Sequence, residues 1–268
     1  YGDFALVNQF IQGGQELKQW LEAQGSTFVE DTQPTLIGAL WYRENEFIGA
    51  TIDGQNYPGR WGTYFVAPMN TLLVTSETAA SNKIMLRTTA EELIVEDGKV
   101  TGVKATQYDG TPVTAHATKG VVIATGGYAA NLQMVVDTNV YWSSDYLSTS
   151  TKTTNRSSLK GDGITMAQAV GADVTGMGYT QMMPISWIDD GNLAFGGGNY
   201  AIYINPTTGK RFVDETSERD VLSLAEFRNG IEHNGTKGVF IEIANAGSKI
   251  PGPYLYGNED VEWRQYVR

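Results

Sequence analysis

The first part of the chain carries apolar residues at the spacing of one helix face. These residues are Leu6, Phe10, Leu17, Trp20 and Leu21. The pattern predicts a helix over Ala5–Gln24, ended by Gly25 and followed by an extended stretch. Two glycines, Gly13 and Gly14, leave open whether this is one helix or two pieces.

The pattern changes to alternation between residues 83 and 126. Two Asp-Gly pairs, Asp97-Gly98 and Asp109-Gly110, separate alternating runs, which predicts an antiparallel three-stranded meander over residues 93–118. The continuous apolar run that follows, with the sequence GVVIAT at 120–125, predicts a strand of a different, parallel sheet, buried on both faces.

Further patterns predict short elements on both sides of a Ser/Thr/Asn-rich loop over residues 137–160. The predicted helices are Met69–Ala80, Ile164–Val170, Asp220–His233 and Glu259–Arg268. The predicted strands are Tyr200–Asn205, Lys210–Asp214 and Val239–Ile243. Together these elements predict an α+β fold.

Composition narrows the possible functions. The 268 residues include 19 basic and 30 acidic ones, which gives a net charge of −11 and argues against nucleic acid or an anionic membrane as a partner. The absence of cysteine excludes disulfides, iron–sulfur clusters and thiol nucleophiles. No apolar run is long enough to predict a membrane span. Because the chain lacks an initiator Met and a signal peptide, we expect a processed product or an excised part of a longer protein.

Several motifs are weak candidates for chemistry. Residues 196–201 match G-x-G-x-x-A but precede a predicted strand instead of opening a helix, so a nucleotide site is rejected there. Adjacent acids could form a catalytic pair but are typical of solvated loops; they are Asp189, Asp190, Glu44 and Glu46. The two histidines, His116 and His233, are interpreted as structural, and no metal site is predicted.

Two glycine-containing stretches are better candidates for a ligand site. Asp162 lies between two glycines and could cap the helix that follows, while the same glycines would let a ligand approach the backbone. Thr125, Gly126 and Gly127 follow the predicted buried strand, at the end where ligands dock in α/β sheets. Tight packing alone would explain either stretch, and the two together favour a ligand.

The residues then resemble a known family. The segments GVVIATGGYAANLQM (120–134), GDGITMAQAVGAD (161–173) and INPTTGKRFVDETSERD (204–220) resemble the FAD-dependent fumarate reductase/succinate dehydrogenase flavoproteins. The branch they resemble is the soluble bacterial one with urocanate reductase and ketosteroid dehydrogenases. The resemblance implies part of an FAD-binding α/β domain over residues 1–160 and an α+β capping domain over residues 161–268.

The resemblance also implies site residues. Ala90 matches a backbone contact to adenine, Thr125 and Gly126 match the segment beside the FAD, and Asp162 matches the aspartate of the GDG motif. Arg219 matches the family arginine that protonates the substrate carbon. Since the arginine pKa exceeds about 12, such a role needs a dry site with a carboxylate to relay the proton.

The candidates for that relay are the carboxylates nearest to the arginine in sequence. They are Glu215, Glu218 and Asp220. The alternative for Arg219 is a surface ion pair with Glu215 at i,i+4 spacing.

Departures from the family pattern bear on substrate and cofactor. Its Gln-x-His-Pro segment reads Gln181-Met182-Met183-Pro184 here, and glycine-rich residues 195–198 replace its Thr-Glu-x-x-Arg stretch. We therefore expect a substrate alkene that is bulkier or less anionic than fumarate.

Neither glycine-rich FAD segment of the family is present. We therefore expect the isolated chain to hold no FAD, although the complete enzyme binds it.

The sequence thus predicts a fragment of an FAD-dependent oxidoreductase that reduces an activated C=C bond of a small molecule. Its electron donor is expected to be another flavin or a haem module. The expected compartment is the cytoplasm, with the cell envelope or export as the alternative. The alternative functions are a carbohydrate-binding module, suggested by 6 Trp and 14 Tyr, and a hydrolase, disfavoured because no nucleophile–histidine pair is recognisable.

Overall fold

The computed structural model describes residues 3–29, 45, 47–59, 63–192 and 201–244. These residues fall into two compact units, one ending at Ile84 and the other beginning at Met85. The predicted α+β class is confirmed, since helices and small antiparallel sheets occur together. The predicted helix over 259–268, the glycine-rich motif at 196–200, and Glu44 and Glu46 lie outside the described residues.

Helix α1 spans Phe4–Glu22 in the first unit. It begins where predicted because the Asp3 carboxylate accepts hydrogen bonds from the N–H groups of Ala5 and Leu6, at 2.8 and 3.2 Å. The helix runs without a break through Gly13 and Gly14, so the suggested interruption is wrong. A Cβ atom added to either glycine would have no other atom within 4 Å. The two glycines therefore only lower the intrinsic helix propensity of this segment.

The first unit also contains a three-stranded antiparallel sheet. Its strands are β1 (Ser26–Phe28), β2 (Phe47–Ile52) and β3 (Gln55–Pro58). The predicted helix over Met69–Ala80 is wrong in its bounds. Helix α2 covers Val66–Asn70 and continues as a wider π-type turn to Thr75, after which Ser76 is extended and ends the helix.

The predicted meander is confirmed in the second unit. Its strands are β4 (Thr88–Glu96), β5 (Lys99–Gln107) and β6 (Pro112–His116), in the order β4-β5-β6. The two turns contain Asp97-Gly98 and Asp109-Gly110, and both of these glycines have positive φ, as tight turns between antiparallel strands require. Strand β4 is an edge strand with a register shift between Ala90 and Glu92.

The predicted strand at 120–125 is not formed. The segment is irregular, and two of its large apolar side chains are exposed, Val122 to 90% and Ile123 to 42%. A parallel strand needs hydrogen-bonding neighbours, and no strand in the described part of the chain pairs with it.

A loop-rich region with its own core follows. Helix α3 (Leu132–Thr138) leads into the predicted loop, which holds no helix or strand over 139–160. The buried side chains of Val135, Trp142 and Leu147 form a cluster. The Trp142 indole N–H donates to the Thr180 carbonyl at 2.7 Å, so the loop is tied to the segment 180–183 that lines the cavity described below.

The remaining elements form the last part of the second unit. They are α4 (Asp162–Ala169), β7 (Ala201–Ile204), α5 (Arg219–Asn229), β8 (Ile231–His233), β9 (Thr236–Val239) and β10 (Ile241–Ala244). Strand β7 pairs with β10, and β8 pairs with β9.

Three predictions in this region need correction. The run 210–214 is not a strand and makes a single bridge, Ile204 to Arg211, on the edge of β7 opposite to β10. The predicted helix over 220–233 ends at Asn229, since Gly230 is extended and starts the β8–β9 hairpin. The predicted strand over 239–243 is two strands separated at Phe240.

Candidate functional site

The segment 120–127 packs against the start of α4. The N–H of Gly161 donates to the Gly127 carbonyl at 3.2 Å, and the N–H of Ala130 donates to the Leu159 carbonyl at 2.9 Å. A Cβ atom on Gly163 would lie 2.3 Å from Thr125 Oγ1 and 2.4 Å from Ile123 Cγ2. Glycine is therefore required at 163 for the two segments to approach this closely.

This packing brings together three of the residues predicted to bind cofactor. Thr125 and Gly126 lie on one side of the contact, and Asp162 lies on the other as the first residue of α4. The fourth, Ala90, is half-buried on β4, and β4 packs against α4. Because β4 is an edge strand, part of its backbone hydrogen-bonding groups face away from the sheet, as a backbone contact from Ala90 would require.

Asp162 has a different role from the expected helix cap. The capping position is occupied by Gly161, whose φ of +84° lies in the left-handed region, and Asp162 is inside the first turn. Its side chain is exposed. A carboxylate there interacts favourably with the positive end of the helix dipole and stays accessible to a hydroxyl or amide donor of a ligand.

The surface formed by these segments is suited to a flat, partly polar group. Thr125, Gly126 and Gly127 are exposed, and Gly126 has a φ of +77°. The exposed side chain of Val122 provides apolar surface beside them. An FAD molecule presents both kinds of surface, since the dimethylbenzene side of its isoalloxazine ring is apolar, while the pyrimidine edge of that ring and the ribityl chain are polar. The residues present therefore fit the cofactor that the sequence predicts.

Arg219 is at the first position of another helix, α5. It is half-buried, and α5 packs against β9. The face of α5 that is buried contains Leu222, Ser223 and Glu226. Arg219, Ser223 and Glu226 are spaced i, i+4 and i+7, so they follow one another along the same face of the helix.

Glu215 was considered as an ion-pair partner of Arg219 and as its proton relay, but it binds other groups. Its buried carboxylate accepts from Arg211 Nε at 3.1 and 3.0 Å and also from Arg211 Nη2, and it accepts from the backbone N–H of Tyr203 at 2.7 Å. The Glu215–Arg219 surface pair is therefore wrong, and the engagement of the Glu215 carboxylate by Arg211 disfavours Glu215 as the relay. The other two candidate relays, Glu218 and Asp220, are exposed, which leaves them outside a dry environment.

These contacts shift the pKa values of the groups involved. Burial by itself raises the pKa of Glu215, but the hydrogen bonds from Arg211 and from the Tyr203 N–H outweigh it, and the net pKa is below the ordinary value. Burial also raises the pKa of the Tyr203 phenol, and the charges of Glu226, Glu242 and Glu215 raise it further. Tyr203 is thus neutral at all physiological pH values.

A cavity of about 80 Å³ lies between α5 and the segment 180–183. Its wall includes Met183, which the resemblance matched to a histidine of the family, and Ser223 and Glu226 of α5. Exposed lysines, Lys152 and Lys237, lie at its rim. Neither Ser223 nor Glu226 was singled out from the sequence, although their spacing from Arg219 could have indicated them.

The two histidines show no grouping with other metal ligands in the described part of the chain. His116 is exposed at the end of β6, and Nε2 of half-buried His233 lies 3.2 Å from Asn234 Nδ2. Within the described ranges, no three His, Asp or Glu side chains are grouped as a metal site would require. In the same ranges, no helix has both the length and the apolar character needed to cross a bilayer.

Comparisons with known proteins identify the family. The model of the FAD binding domain family matches residues 1–252. The chain therefore belongs to this family, and FAD is the cofactor that the family model indicates for the protein of which this chain is a part. The resemblance to fumarate reductase flavoproteins is confirmed.

Two curated relatives show the range of the family. The chain is 36% identical to an NADH:acrylate oxidoreductase of Vibrio harveyi, over 86% of the chain and 22% of the relative. It is 29% identical to a urocanate reductase of Eggerthella lenta, over 84% of the chain and 35% of the relative. The chain thus spans about a fifth to a third of the length of these relatives. Neither supports the carbohydrate-binding alternative.

A solved structure agrees on the fold. The open form of a flavocytochrome c3 fumarate reductase superposes with a TM-score of 0.59 at 23% identity. The match covers 84% of this chain and 36% of that one. At this identity the likeness concerns the fold alone.

Proposed function

We propose that this chain provides one wall of the FAD site and the proton donor of an FAD-dependent reductase of activated C=C bonds. The observation that carries the proposal is the packing of Gly163 on Thr125, which places Thr125, Gly126 and Asp162 on one surface. In this proposal residues 1–160 belong to the FAD-binding domain and residues 161–268 to the capping domain.

The cofactor residues have separate tasks. Thr125 and Gly126 offer exposed backbone to the cofactor, and the left-handed conformation of Gly126 allows close approach. The exposed carboxylate of Asp162 accepts hydrogen bonds from cofactor hydroxyl or amide groups. Ala90 contributes backbone from the edge strand β4. When bound and reduced, FAD supplies a hydride to one carbon of the alkene.

Arg219 supplies the proton for the other carbon. Its guanidinium carries five N–H donors and remains charged in water, so it also attracts an anionic substrate. The half-buried position at the start of α5 keeps part of the side chain away from water. Donation from so weak an acid requires that the proton be replaced from a neighbouring group during turnover.

The substrate is a small α,β-unsaturated acid with less negative charge than fumarate. Met183 lies in the cavity wall where the family has a histidine, and a thioether cannot donate a hydrogen bond to a second carboxylate. The relative that acts on acrylate, a monocarboxylate, agrees with this choice. The electron donor is proposed to be a second flavin or a haem module, and the compartment the cytoplasm, with the envelope or export as the alternative.

The proposal is tested with the full-length, flavin-loaded enzyme that contains this chain, and with reduced methyl viologen as the electron source. Oxidation of the dye is followed with acrylate, urocanate and fumarate in turn, and we expect the highest kcat/KM with acrylate or urocanate. The same assay compares Arg219→Ala with Arg228→Ala, since Arg228 is an exposed arginine near the end of the same helix. We expect loss of activity only in Arg219→Ala. Failure of the wild-type enzyme to reduce any of the three alkenes would overturn the proposal.

A further inference from the structure

A hydroxyl and a carboxylate lie buried on the same face of α5 as Arg219. Ser223 and Glu226 are 2% and 5% exposed. A helix rises about 1.5 Å per residue, so Ser223 lies about 6 Å and Glu226 about 10 Å beyond Arg219 along the axis. A proton that passes from Glu226 to Arg219 therefore needs an intermediate group, and Ser223 lies between the two residues on the helix face.

The Ser223 hydroxyl borders a space that can hold water. Its Oγ has no hydrogen-bond partner among the described residues, a costly state for a buried hydroxyl. Ser223 and Glu226 both line the cavity of about 80 Å³. Since one water needs roughly 10–15 Å³ of such volume, the cavity has room for at least one water that would satisfy Ser223.

Solvent reaches the other side of this cavity. Lys152, Asn155 and Lys237 line it and are exposed. Lys237 directs its ammonium group to the Asp145 carbonyl, at 2.6 Å. Glu226 is thus the buried acid in the cavity wall, and the rim gives it access to protons from bulk water.

We propose that Glu226 restores the proton of Arg219 through the Ser223 hydroxyl and water in this cavity, an inference that rests on the proposed function. Arg219 gives an N–H proton to the substrate carbon as the other carbon receives the hydride of reduced flavin. Ser223 or the water then gives a proton to the guanidine and takes one from the Glu226 carboxyl. The Glu226 carboxylate is finally protonated from solvent, so each turnover consumes two electrons from the flavin and one proton from water.

The carboxylates closest to Arg219 in sequence are less suited than Glu226 to supply this proton. Glu215 is held by Arg211 and the Tyr203 N–H, and Glu218 and Asp220 are exposed. Glu226 combines burial, a place in the cavity wall and the correct helix face. It acts through Arg219 and not on the substrate.

The test separates proton supply from hydride supply. The flavin of the loaded enzyme is reduced anaerobically and then mixed with acrylate or, in parallel, with ferricyanide, which takes electrons without a proton at carbon. We expect Glu226→Gln to slow reoxidation by acrylate at least about tenfold and to leave reoxidation by ferricyanide within about twofold. Glu226→Asp, which keeps a carboxyl group, should recover part of the acrylate rate. The matched control is Glu232→Gln, which changes an exposed carboxylate on β8.

Ser223→Ala is a second, smaller change that removes one hydroxyl, and it tests the route even if Glu226→Gln does not fold. We expect it to slow the acrylate reaction several-fold with ferricyanide unaffected. Acrylate rates within about twofold of wild type in both variants would overturn the route while leaving the role of Arg219 intact. Equal slowing with both acceptors would show a structural role and would also overturn it. A wild-type enzyme that reduces no alkene overturns the proposed function itself.

Discussion

Arg211 holds the carboxylate of Glu215 through its Nε and Nη2 atoms, while the same carboxylate accepts the backbone N–H of Tyr203. The contact links strand β7 to the segment that leads into α5, whose first residue is Arg219. Glu215 is buried, and Arg211 is about half exposed. The pair therefore fixes the entry to α5 and only indirectly affects chemistry at Arg219.

Removal of this carboxylate should destabilise the second unit. Glu215→Ala leaves the Tyr203 N–H without its acceptor, and a buried unsatisfied donor costs about 1–3 kcal/mol. We expect a loss of that size in the free energy of unfolding measured with urea. The exposed Glu218→Ala is the control and should change stability by less than about 0.5 kcal/mol. Equal effects of the two substitutions would contradict the role given to Glu215.

The same pair predicts a dependence of stability on pH. The pKa of Glu215 is lower in the folded protein than its ordinary value, so its contribution is complete above the unfolded pKa of about 4.3. That contribution is lost as pH falls through the lower folded pKa. The gap in unfolding free energy between wild type and Glu215→Gln should therefore shrink from pH 7 to about pH 3. A constant gap over this range would show that the Glu215 charge is not what stabilises the fold.

The close packing of α4 on the segment 120–127 gives a third prediction. In Gly163→Ala the new Cβ would meet Thr125 Oγ1 and Ile123 Cγ2, and overpacking of this kind costs about 1–3 kcal/mol. We expect lower stability and weaker retention of flavin in the loaded enzyme, measured by urea unfolding and by flavin release. Gly127→Ala is the control for stability, since no atom lies within 4 Å of its added Cβ. Unchanged stability in Gly163→Ala would contradict the described packing.

The fourth prediction is that the purified 268-residue chain binds no FAD. FAD affinity in such folds depends on a pyrophosphate at a glycine turn between a strand and a helix N-terminus. No turn of this kind joins a strand to a helix in the part of the chain that the structure describes. Loss of several charge-assisted hydrogen bonds of about 1.5–3 kcal/mol each would reduce nanomolar affinity by many orders of magnitude. The measurement is the flavin absorbance of the purified chain, and a stoichiometric signal would refute the prediction.

Local patterns were sufficient to predict the elements that depend on local interactions. The meander β4–β6 follows from two Asp-Gly turns and alternation, and α1 follows from its apolar spacing and ends near Gly25. The segment 120–125 was predicted as a buried strand because its composition is apolar. Its conformation depends on neighbouring strands that the described part of the chain does not provide, and periodicity contains no information about them.

Part of the candidate site could also be predicted from the sequence. The resemblance indicated Thr125, Gly126 and Asp162, and the structure brings them together through Gly163. The partner of Glu215 could not be predicted, because Arg211 and Arg219 are both four residues away from it in sequence and only tertiary packing selects Arg211. Glu226 was overlooked because its burial depends on the packing of α5 against other elements.

The role of Arg219 is tested most directly by a single-turnover measurement in the flavin-loaded enzyme. The flavin is reduced, mixed anaerobically with acrylate, and its reoxidation is followed for wild type and for Arg219→Ala. We expect rapid reoxidation in wild type and a loss of at least about a thousandfold in Arg219→Ala, with flavin content unchanged. A rate in Arg219→Ala within about tenfold of wild type would contradict the account and would remove Arg219 from the chemistry.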